Sequence, residues 1–256
     1  MKYNMLFING WASTPSIFAP LVEALKPKID KALIVDWHDS QYSSVDRMDT
    51  MIHMLADTRP QRPTILVGWS SGTMPILSYL GSDKIHKSVS GAILFGATPR
   101  FINSHSPDYN FGWHKDVLEQ MTENFSLHPK TVIDAFADKC MSKKDTERVN
   151  ISQTFKACFH DDSLTALAKD ELKIGLEFLA HSDVRMKVSK IVHPLLLIAG
   201  ENDLICSLKC SKWIVNNTHN TDLHIVKNTG HAPHYFEPDI CSEYVKAFFE
   251  ELEHND

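Results

Sequence analysis

The chain has 256 residues, of which 43% are hydrophobic and 23% charged, a composition typical of a globular protein with a sizeable core. Its 26 Lys and Arg against 32 Asp and Glu give a net charge of −6, which argues against broad binding to nucleic acid or to an anionic membrane. Five cysteines without a C-x-x-C pair predict reduced thiols in a cytoplasmic protein. The first eight residues predict a strand rather than a signal peptide, and no apolar run approaches the ~20 residues of a membrane helix.

Short apolar runs that end at small or polar residues recur along the chain and predict strands. Their length and lack of strict alternation are typical of a parallel sheet covered on both faces. The predicted strands are 5–8, 32–35, 64–67, 92–95, 195–199 and 223–226. Helical spacing predicts helices between and after them, at 15–25, 46–56, 73–80, 206–215 and 240–252. This alternation favours an α/β fold with a mostly parallel sheet.

The alternation stops between residues 98 and 189. Four helical patterns fill this stretch, at 117–125, 129–141, 146–158 and 164–179. A block of this kind between two sheet strands predicts a helical cap beside the carboxyl ends of the strands, where open α/β sheets bind ligands. The predicted domains are therefore a core formed by residues 1–97 and 190–256 and a cap formed by residues 98–189.

The third predicted strand runs into a G-x-S-x-G motif, Gly68-Trp69-Ser70-Ser71-Gly72, and a helix follows. In this context the motif predicts a strained turn that lifts the Ser70 hydroxyl clear of the sheet. Glycine suits both ends of the motif because the backbone passes close to neighbouring elements. An ordinary strand–helix turn is the alternative interpretation.

A serine nucleophile needs a base and an orienting carboxylate, expected here in the chain order serine, acid, histidine. Asp203 follows the fifth predicted strand and His231 follows the sixth, so both could converge on Ser70. Glu201 competes for the acid role and is interpreted as a loop acid. His234 competes with His231 and is interpreted as a residue lining the pocket. A helix N-cap is the alternative interpretation of Asp203.

A tetrahedral intermediate also needs an oxyanion hole. One predicted donor is the backbone N–H of Ser71, the residue after the nucleophile. The other is the N–H of Trp11 in the loop after the first strand, where Gly10 allows a close approach. The Trp11 ring either walls the pocket or is a buried core aromatic. This mechanism requires neither a metal nor an organic cofactor.

Four segments carry a resemblance to a known family. They are Asn9-Gly10-Trp11, the G-x-S-x-G motif, Phe95-Gly96-Ala97-Thr98-Pro99-Arg100-Phe101 and Gly230-His231-Ala232-Pro233. The sequence resembles the α/β-hydrolase superfamily and, within it, the pimeloyl-(acyl-carrier protein) methyl ester carboxylesterases of biotin synthesis. The resemblance extends over nearly the whole chain. It implies a serine carboxylesterase that removes the methyl group from a pimeloyl chain on an acyl-carrier protein.

The resemblance also implies which residues bind substrate and carrier. It implies substrate contacts from Trp11, Ser70, Ser71, His231 and the cap helix that contains Phe136. Basic cap residues would dock the acidic carrier protein, and they are Lys130, Lys139, Lys143, Lys144 and Arg148. A solvated charged face is the alternative interpretation of these five.

Two other functions are compatible with the same residues. One is a general short-acyl carboxylesterase or thioesterase with the same triad. The other is a non-catalytic α/β-hydrolase-like binding protein. In each case we expect a monomer that binds neither nucleic acid nor membrane.

Overall fold

A computed structural model describes residues 1–35, 45–56, 62–104, 109–161 and 163–255 of the chain. Its strands are β1 (Tyr3–Ile8), β2 (Ile29–Val35), β3 (Thr64–Trp69), β4 (Val89–Phe95), β5 (Leu195–Gly200) and β6 (Thr221–Val226). They form one sheet in the order β2-β1-β3-β4-β5-β6, and every neighbouring pair is parallel. Each strand overlaps one of the six predicted strands, so the predicted α/β fold is confirmed.

Helices connect these strands. They are α1 (Ala19–Leu25), α2 (Val45–Ala56), α3 (Thr73–Leu80), α4 (Lys115–Leu127), α5 (Pro129–Lys139), α6 (Lys143–Glu147), α7 (Val149–Lys156), α8 (Ala166–His181), α9 (Arg185–Val188), α10 (Leu208–Asn216), α11 (Pro233–Phe236) and α12 (Pro238–Asn255). A 3₁₀ turn at Pro15–Phe18 precedes α1. Across the described ranges, no helix has both the length and the apolar character needed to span a bilayer.

Several observed helices begin or end about two residues from their predicted bounds, and two of the differences have a visible cause. The single helix predicted at 146–158 is wrong, because Arg148 leaves the helical conformation (φ −87°, ψ 69°) and separates α6 from α7. The helix predicted to start at residue 206 starts at Leu208. The backbone N–H groups of Ile205 and Cys206 instead point at the carboxylate of Asp203, at 2.8 and 2.9 Å.

The sheet is covered on both faces, as its apolar strands predict. In β1, Met5 and Phe7 face the core that also contains residues of α1 and α12, whereas Leu6 and Ile8 face the core that contains residues of α2 and α3. All four side chains are fully buried. Full burial of such a side chain contributes roughly 1.5–3 kcal/mol, so the alternation fixes which face each helix covers.

The strand order places a crevice at one point of the sheet. The connection from β1 leads to β2 on one side, and the chain then crosses to β3 on the other side. Open α/β sheets bind ligands at the carboxyl ends of strands where the order reverses in this way. Ile8 pairs with Gly68 across these two strands, so the loops that begin at Asn9 and Ser70 leave the sheet side by side.

The six helices α4–α9 lie between β4 and β5. The two ends of this inserted segment are held together. Arg100 forms an ion pair with Asp183 (2.6 Å), and the Val184 N–H donates to the Pro99 carbonyl (2.9 Å). The inserted helices therefore leave and rejoin the sheet through one paired stem.

Candidate active site

Ser70 occupies a strained turn directly after β3. Its φ of 57° lies in the left-handed region, which costs a non-glycine residue about 1–3 kcal/mol. A Cβ on Gly68 would lie 2.9 Å from the Gly72 carbonyl oxygen, and a Cβ on Gly72 would collide with the Ile8 carbonyl. The prediction that both motif glycines are needed for close backbone approach is confirmed. Such strain in a packed turn is typical of a functional position.

The loop after β1 contacts this turn. A Cβ on Gly10 would lie 2.9 Å from the Ser70 Cβ, so only glycine fits there without displacement. Trp11 follows, and Ala12 after it has a φ of 61°. Ser71 is buried, and its hydroxyl makes no hydrogen bond with the residues described. That the N–H groups of Trp11 and Ser71 bind an oxyanion stays a prediction.

His231 and Asp203 form a buried pair. The His231 Nδ1 lies 2.7 Å from the Asp203 Oδ2, and both side chains are inaccessible to solvent. An ionised carboxylate only accepts hydrogen bonds, so in the neutral form of this imidazole the Nδ1 carries the proton and the Nε2 has the free lone pair. The Nε2 is buried and has no hydrogen-bond partner among the described residues. This imidazole can therefore accept a proton.

The structure distinguishes the two candidate acids. The Asp203 Oδ1 accepts the N–H groups of Ile205 and Cys206, while its Oδ2 faces His231. The sequence left two interpretations of Asp203, a helix N-cap and the partner of His231. In the structure one oxygen of the carboxylate accepts backbone N–H groups as a cap does, and the other pairs with His231. Glu201 is exposed and accepts the N–H of Asn228 at 2.9 Å, so it contacts the histidine loop rather than the ring.

The ends of β3 and β4 contact the loop that carries His231, although among the described residues no hydrogen bond joins the Ser70 hydroxyl to the His231 Nε2. Trp69 pairs with Phe95 across β3 and β4, and its indole N–H donates to the His231 carbonyl at 2.9 Å. A Cβ on Gly96, which has a φ of 53°, would lie 2.7 Å from the His231 ring. Sequence analysis assigned no role to Trp69 or Gly96, although both lie in the segments that carry the family resemblance.

His234 is surrounded by aromatic side chains close to the His231–Asp203 pair. Its ring packs against Phe18, Trp69 and Phe95 at centroid distances of 5.2, 5.5 and 4.8 Å. It is fully buried, and neither ring nitrogen has a hydrogen-bond partner among the described residues. Burial, and secondarily repulsion between the two rings when both are protonated, lowers the pKa of His234 to about 3. His234 is therefore a neutral core residue and does not line the cavity described below, and within the described part of the chain no carboxylate faces it as Asp203 faces His231.

The buried His234 should make the protein sensitive to acid. Its pKa is lower in the folded than in the unfolded state, so the unfolded state binds more protons and stability falls as the pH drops below about 6.5. Between pH 7 and pH 5 this amounts to about 2 kcal/mol. Urea unfolding of His234→Phe should show a correspondingly smaller loss between these two pH values. The exposed His219 provides the control, since His219→Phe should lose as much stability as the wild type; equal losses in all three proteins would contradict the assignment.

The Trp11 ring joins the inserted helices to the core. It is buried, its indole N–H donates to the Leu172 carbonyl of α8 (2.8 Å), and it packs edge-to-face on Phe125 and Phe136 at 5.8 and 5.1 Å. Phe136 also lines a cavity of about 380 Å³ between α4 and α5. The other wall of the cavity includes Trp113, whose indole N–H donates to the Ile205 carbonyl beside Asp203 (2.9 Å). Of the predicted substrate-binding residues only Phe136 lines this cavity, which is connected to the Ser70 and Asp203 loops indirectly, through Phe136 on Trp11 and Trp113 on Ile205.

Three of the five basic residues predicted at a docking surface form ion pairs within the chain. Lys130 pairs with Asp134 (2.6 Å). Lys144 and Arg148 both pair with Glu237, at 2.8 and 3.3 Å. Because internal carboxylates offset part of their charge, these three attract an acidic partner less strongly than isolated cations would.

The other two are Lys139 and Lys143. The Lys139 ammonium lies over the ring of Trp113, 5.1 Å from its centroid, at the edge of the cavity. Lys143 is exposed at the start of α6. Of these two only Lys139 lines the cavity, and that any of the five residues docks a carrier protein stays a prediction.

Comparisons with known proteins show the family to which the chain belongs and its fold. The sequence profile of a family described as Hydrolase_4 (serine aminopeptidase, S33) matches residues 35–239. The chain is similar to the pimeloyl-(acyl-carrier protein) methyl ester esterase of Nitrosomonas europaea, with 23% identity over 247 residues that cover 96% of this chain and 94% of that protein. It is also similar to the protein of the same name from Vibrio atlanticus, with 25% identity over 248 residues, 94% of this chain and 93% of the other.

Solved structures share the fold. An esterase from Exiguobacterium antarcticum superposes with a TM-score of 0.79 at 19% identity, covering 97% of this chain and 92% of the other. A bromoperoxidase from Bacillus anthracis superposes with a TM-score of 0.76 at 16% identity, covering 98% and 92%. The parallel sheet with its inserted helices is thus the α/β-hydrolase fold.

Proposed function

The chain belongs to the Hydrolase_4 (serine aminopeptidase, S33) family of the α/β-hydrolase superfamily, and on that premise we propose that it is a serine carboxylesterase. The observation that carries the proposal is the buried His231–Asp203 hydrogen bond at the sheet edge where the strained turn presents Ser70. The proposed substrate is the methyl ester of a pimeloyl chain on an acyl-carrier protein. Its support is the name of the two relatives that match over more than nine tenths of both chains.

The reaction needs only groups of this chain and water. The Ser70 Oγ attacks the ester carbonyl carbon while its proton passes to the His231 Nε2. The imidazolium that forms is stabilised by Asp203, and the N–H groups of Trp11 and Ser71 bind the oxyanion. The proton then moves to the methoxy oxygen, the carbon–oxygen bond breaks and methanol leaves. A water molecule deprotonated by His231 attacks the acyl-enzyme, and the free carboxylic acid is released as Ser70 regains its proton.

In this proposal the core and the cap have different roles. The core, residues 1–97 and 190–256, supplies the triad and the oxyanion hole. The cap, residues 98–189, covers them and supplies the cavity lined by Phe136 and Trp113. Aromatic and aliphatic walls suit a methylene chain, because burial of apolar surface is the only strong interaction such a chain offers.

The carrier protein would approach the cap at Lys139 and Lys143, the two of the five basic residues that form no ion pair among the described residues. Acyl-carrier proteins are acidic, and opposite surface charges steer association more than they raise final affinity. Positive charge at this position should therefore speed association with the carrier-bound substrate and have no effect on the hydrolysis of a small free ester.

Methanol release from pimeloyl-(acyl-carrier protein) methyl ester tests the substrate directly. We expect kcat/KM on this substrate to exceed kcat/KM on a short p-nitrophenyl ester. Lys143→Glu should lower kcat/KM on the carrier-bound substrate by about 3- to 10-fold and leave kcat/KM on the short ester unchanged. The control is Lys87→Glu, the same charge change at an exposed residue before β4, on the opposite edge of the sheet. Turnover of the short ester alone would instead identify a general short-acyl esterase. Equal losses on both substrates would contradict docking at Lys143.

A further inference from the structure

The loop that carries His231 is held on two sides. On the core side, the Asn202 N–H donates to the Thr229 carbonyl (2.9 Å), and Glu201 accepts the N–H of Asn228 (2.9 Å). Asn228 has a φ of 60°, so the loop turns sharply before it reaches the histidine. The core also holds His231 itself, through the Trp69 indole N–H on its carbonyl (2.9 Å) and through Asp203 on its ring (2.7 Å). The cap supplies the partners of the Gly230 and His231 N–H groups and a donor to the Asn228 carbonyl.

The cap side consists of the short segment between α5 and α6. The His231 N–H donates to the Cys140 carbonyl (2.7 Å), and the Ser142 hydroxyl donates to the Asn228 carbonyl (2.7 Å). A Cβ on Gly230 would lie 2.7 Å from the Ser142 nitrogen and would collide with the Cys140 carbonyl. Glycine at this position therefore allows the histidine loop to lie directly against the cap backbone.

Ser142 and Asp145 form the capping box of α6. The Ser142 Oγ accepts the Asp145 N–H (3.2 Å), and the Asp145 Oδ2 accepts the Ser142 N–H (2.8 Å). The same Oδ2 accepts the N–H of Gly230 at 2.8 Å, 85 residues further along the chain. One carboxylate oxygen thus joins the start of a cap helix to the residue that precedes His231.

Helix capping alone does not account for this arrangement. A capping box requires only the bond from Asp145 to the Ser142 N–H. Asp145 is in addition fully buried, and its Oδ1 has no hydrogen-bond partner among the described residues. A buried carboxylate is costly unless it is hydrogen-bonded, and charge-assisted bonds such as those to Gly230 and Ser142 are the strong ones. The buried bond to Gly230 is the feature that a local helix cap does not need.

We propose that Ser142 and Asp145 are positioning residues that hold the His231 loop from the cap. Their hydrogen bonds to Asn228 and Gly230 fix the backbone on which the imidazole is carried, and thereby the direction of its Nε2. The inference rests on the proposed function, in which His231 is the base. It makes the seating of the cap a condition for an ordered catalytic histidine.

The test combines turnover with the proton resonance of the His231–Asp203 hydrogen bond at low field, which is assigned by its loss in His231→Ala. Asp145→Ala should lower kcat on a short ester by about 10- to 100-fold, because displacement of a catalytic group by 1 Å can cost that much, and should change KM by less than about threefold. The resonance should shift or broaden. Asp145→Asn, whose carbonyl oxygen can accept both N–H groups, should restore kcat to within about threefold and restore the resonance.

Two further variants separate positioning from simple loss of a helix cap. Thr165 caps α8 through the Ala168 N–H (3.1 Å), so Thr165→Ala removes a cap of the same kind elsewhere in the inserted helices and should keep kcat and the resonance. Ser142→Ala keeps the carboxylate but removes the bond to Asn228, and we expect it to lower kcat several-fold. This variant tests the proposal even if Asp145→Ala does not fold. Unchanged kcat and an unmoved resonance in both the Asp145→Ala and Ser142→Ala variants would overturn the proposal, as would equal losses in Asp145→Ala and Asp145→Asn.

The resonance keeps this inference separate from the proposed function. A wild-type protein that hydrolyses no ester, yet whose resonance moves in Asp145→Ala and returns in Asp145→Asn, would overturn the esterase proposal and support the positioning role. If the wild type hydrolyses esters and the Asp145 and Ser142 variants match it in both turnover and resonance, the esterase proposal is supported and the positioning role is overturned.

Discussion

Ser70→Ala is expected to lower kcat for ester hydrolysis by about 10⁴- to 10⁶-fold. Without the Oγ no acyl-enzyme can form, and the oxyanion donors and the binding site alone retain only weak catalysis. Steady-state turnover of a p-nitrophenyl ester measures the loss, and a burst of p-nitrophenol from the wild type but not from the variant locates it in acylation. The circular dichroism spectrum and the unfolding midpoint should stay close to those of the wild type.

Ser71→Ala is the matched control for this loss. It removes a hydroxyl one residue further along the same buried turn, but it keeps the backbone N–H that is proposed to bind the oxyanion. The Ser71 hydroxyl has no hydrogen-bond partner among the described residues, so we expect kcat within about tenfold of the wild type. Substantial turnover by Ser70→Ala, or an equal collapse in both variants, would remove Ser70 from its role as the nucleophile.

The residues that converge at the sheet edge were identifiable because each follows a strand. Parallel strands put their carboxyl ends on one edge, so predicted strands ending before Ser70, Asp203 and His231 already implied that these residues lie near one another. The strained turn at Ser70 could also be predicted, because its motif contains the glycines that the turn requires. A Cβ on Gly68 would lie against the Gly72 carbonyl, a constraint that is local to the motif, whereas a Cβ on Gly72 would collide with the Ile8 carbonyl of the neighbouring strand β1.

The cap was less readable, because its helices depend on distant partners. Arg148 looks helical in sequence, yet its guanidinium reaches the Phe236 carbonyl at 2.6 Å, and the helix is interrupted there. Ser142 and Asp145 show a capping pattern, and that part is local. Their bonds to Asn228 and Gly230 join segments more than 80 residues apart, which no periodicity or spacing indicates.

Asp203→Asn is expected to lower kcat by about 10⁴-fold while the fold is retained. The asparagine Oδ1 can still accept the N–H groups of Ile205 and Cys206, so the loop keeps its shape. The amide NH₂ would then face the His231 Nδ1 and, as a donor, would favour the tautomer that carries its proton on Nε2. An Nε2 that already holds a proton cannot accept one from Ser70.

The neighbouring acid makes this prediction specific. Glu201→Gln makes the same carboxylate-to-amide change two residues earlier, and its oxygen can still accept the Asn228 N–H, so kcat should stay within about threefold of the wild type. The pH dependence of kcat/KM adds a second readout, because the ionisation of His231 as base should shift in Asp203→Asn and not in Glu201→Gln. A large loss in Glu201→Gln with full activity in Asp203→Asn would reverse the assignment, and the 2.7 Å contact with His231 would then be structural rather than catalytic.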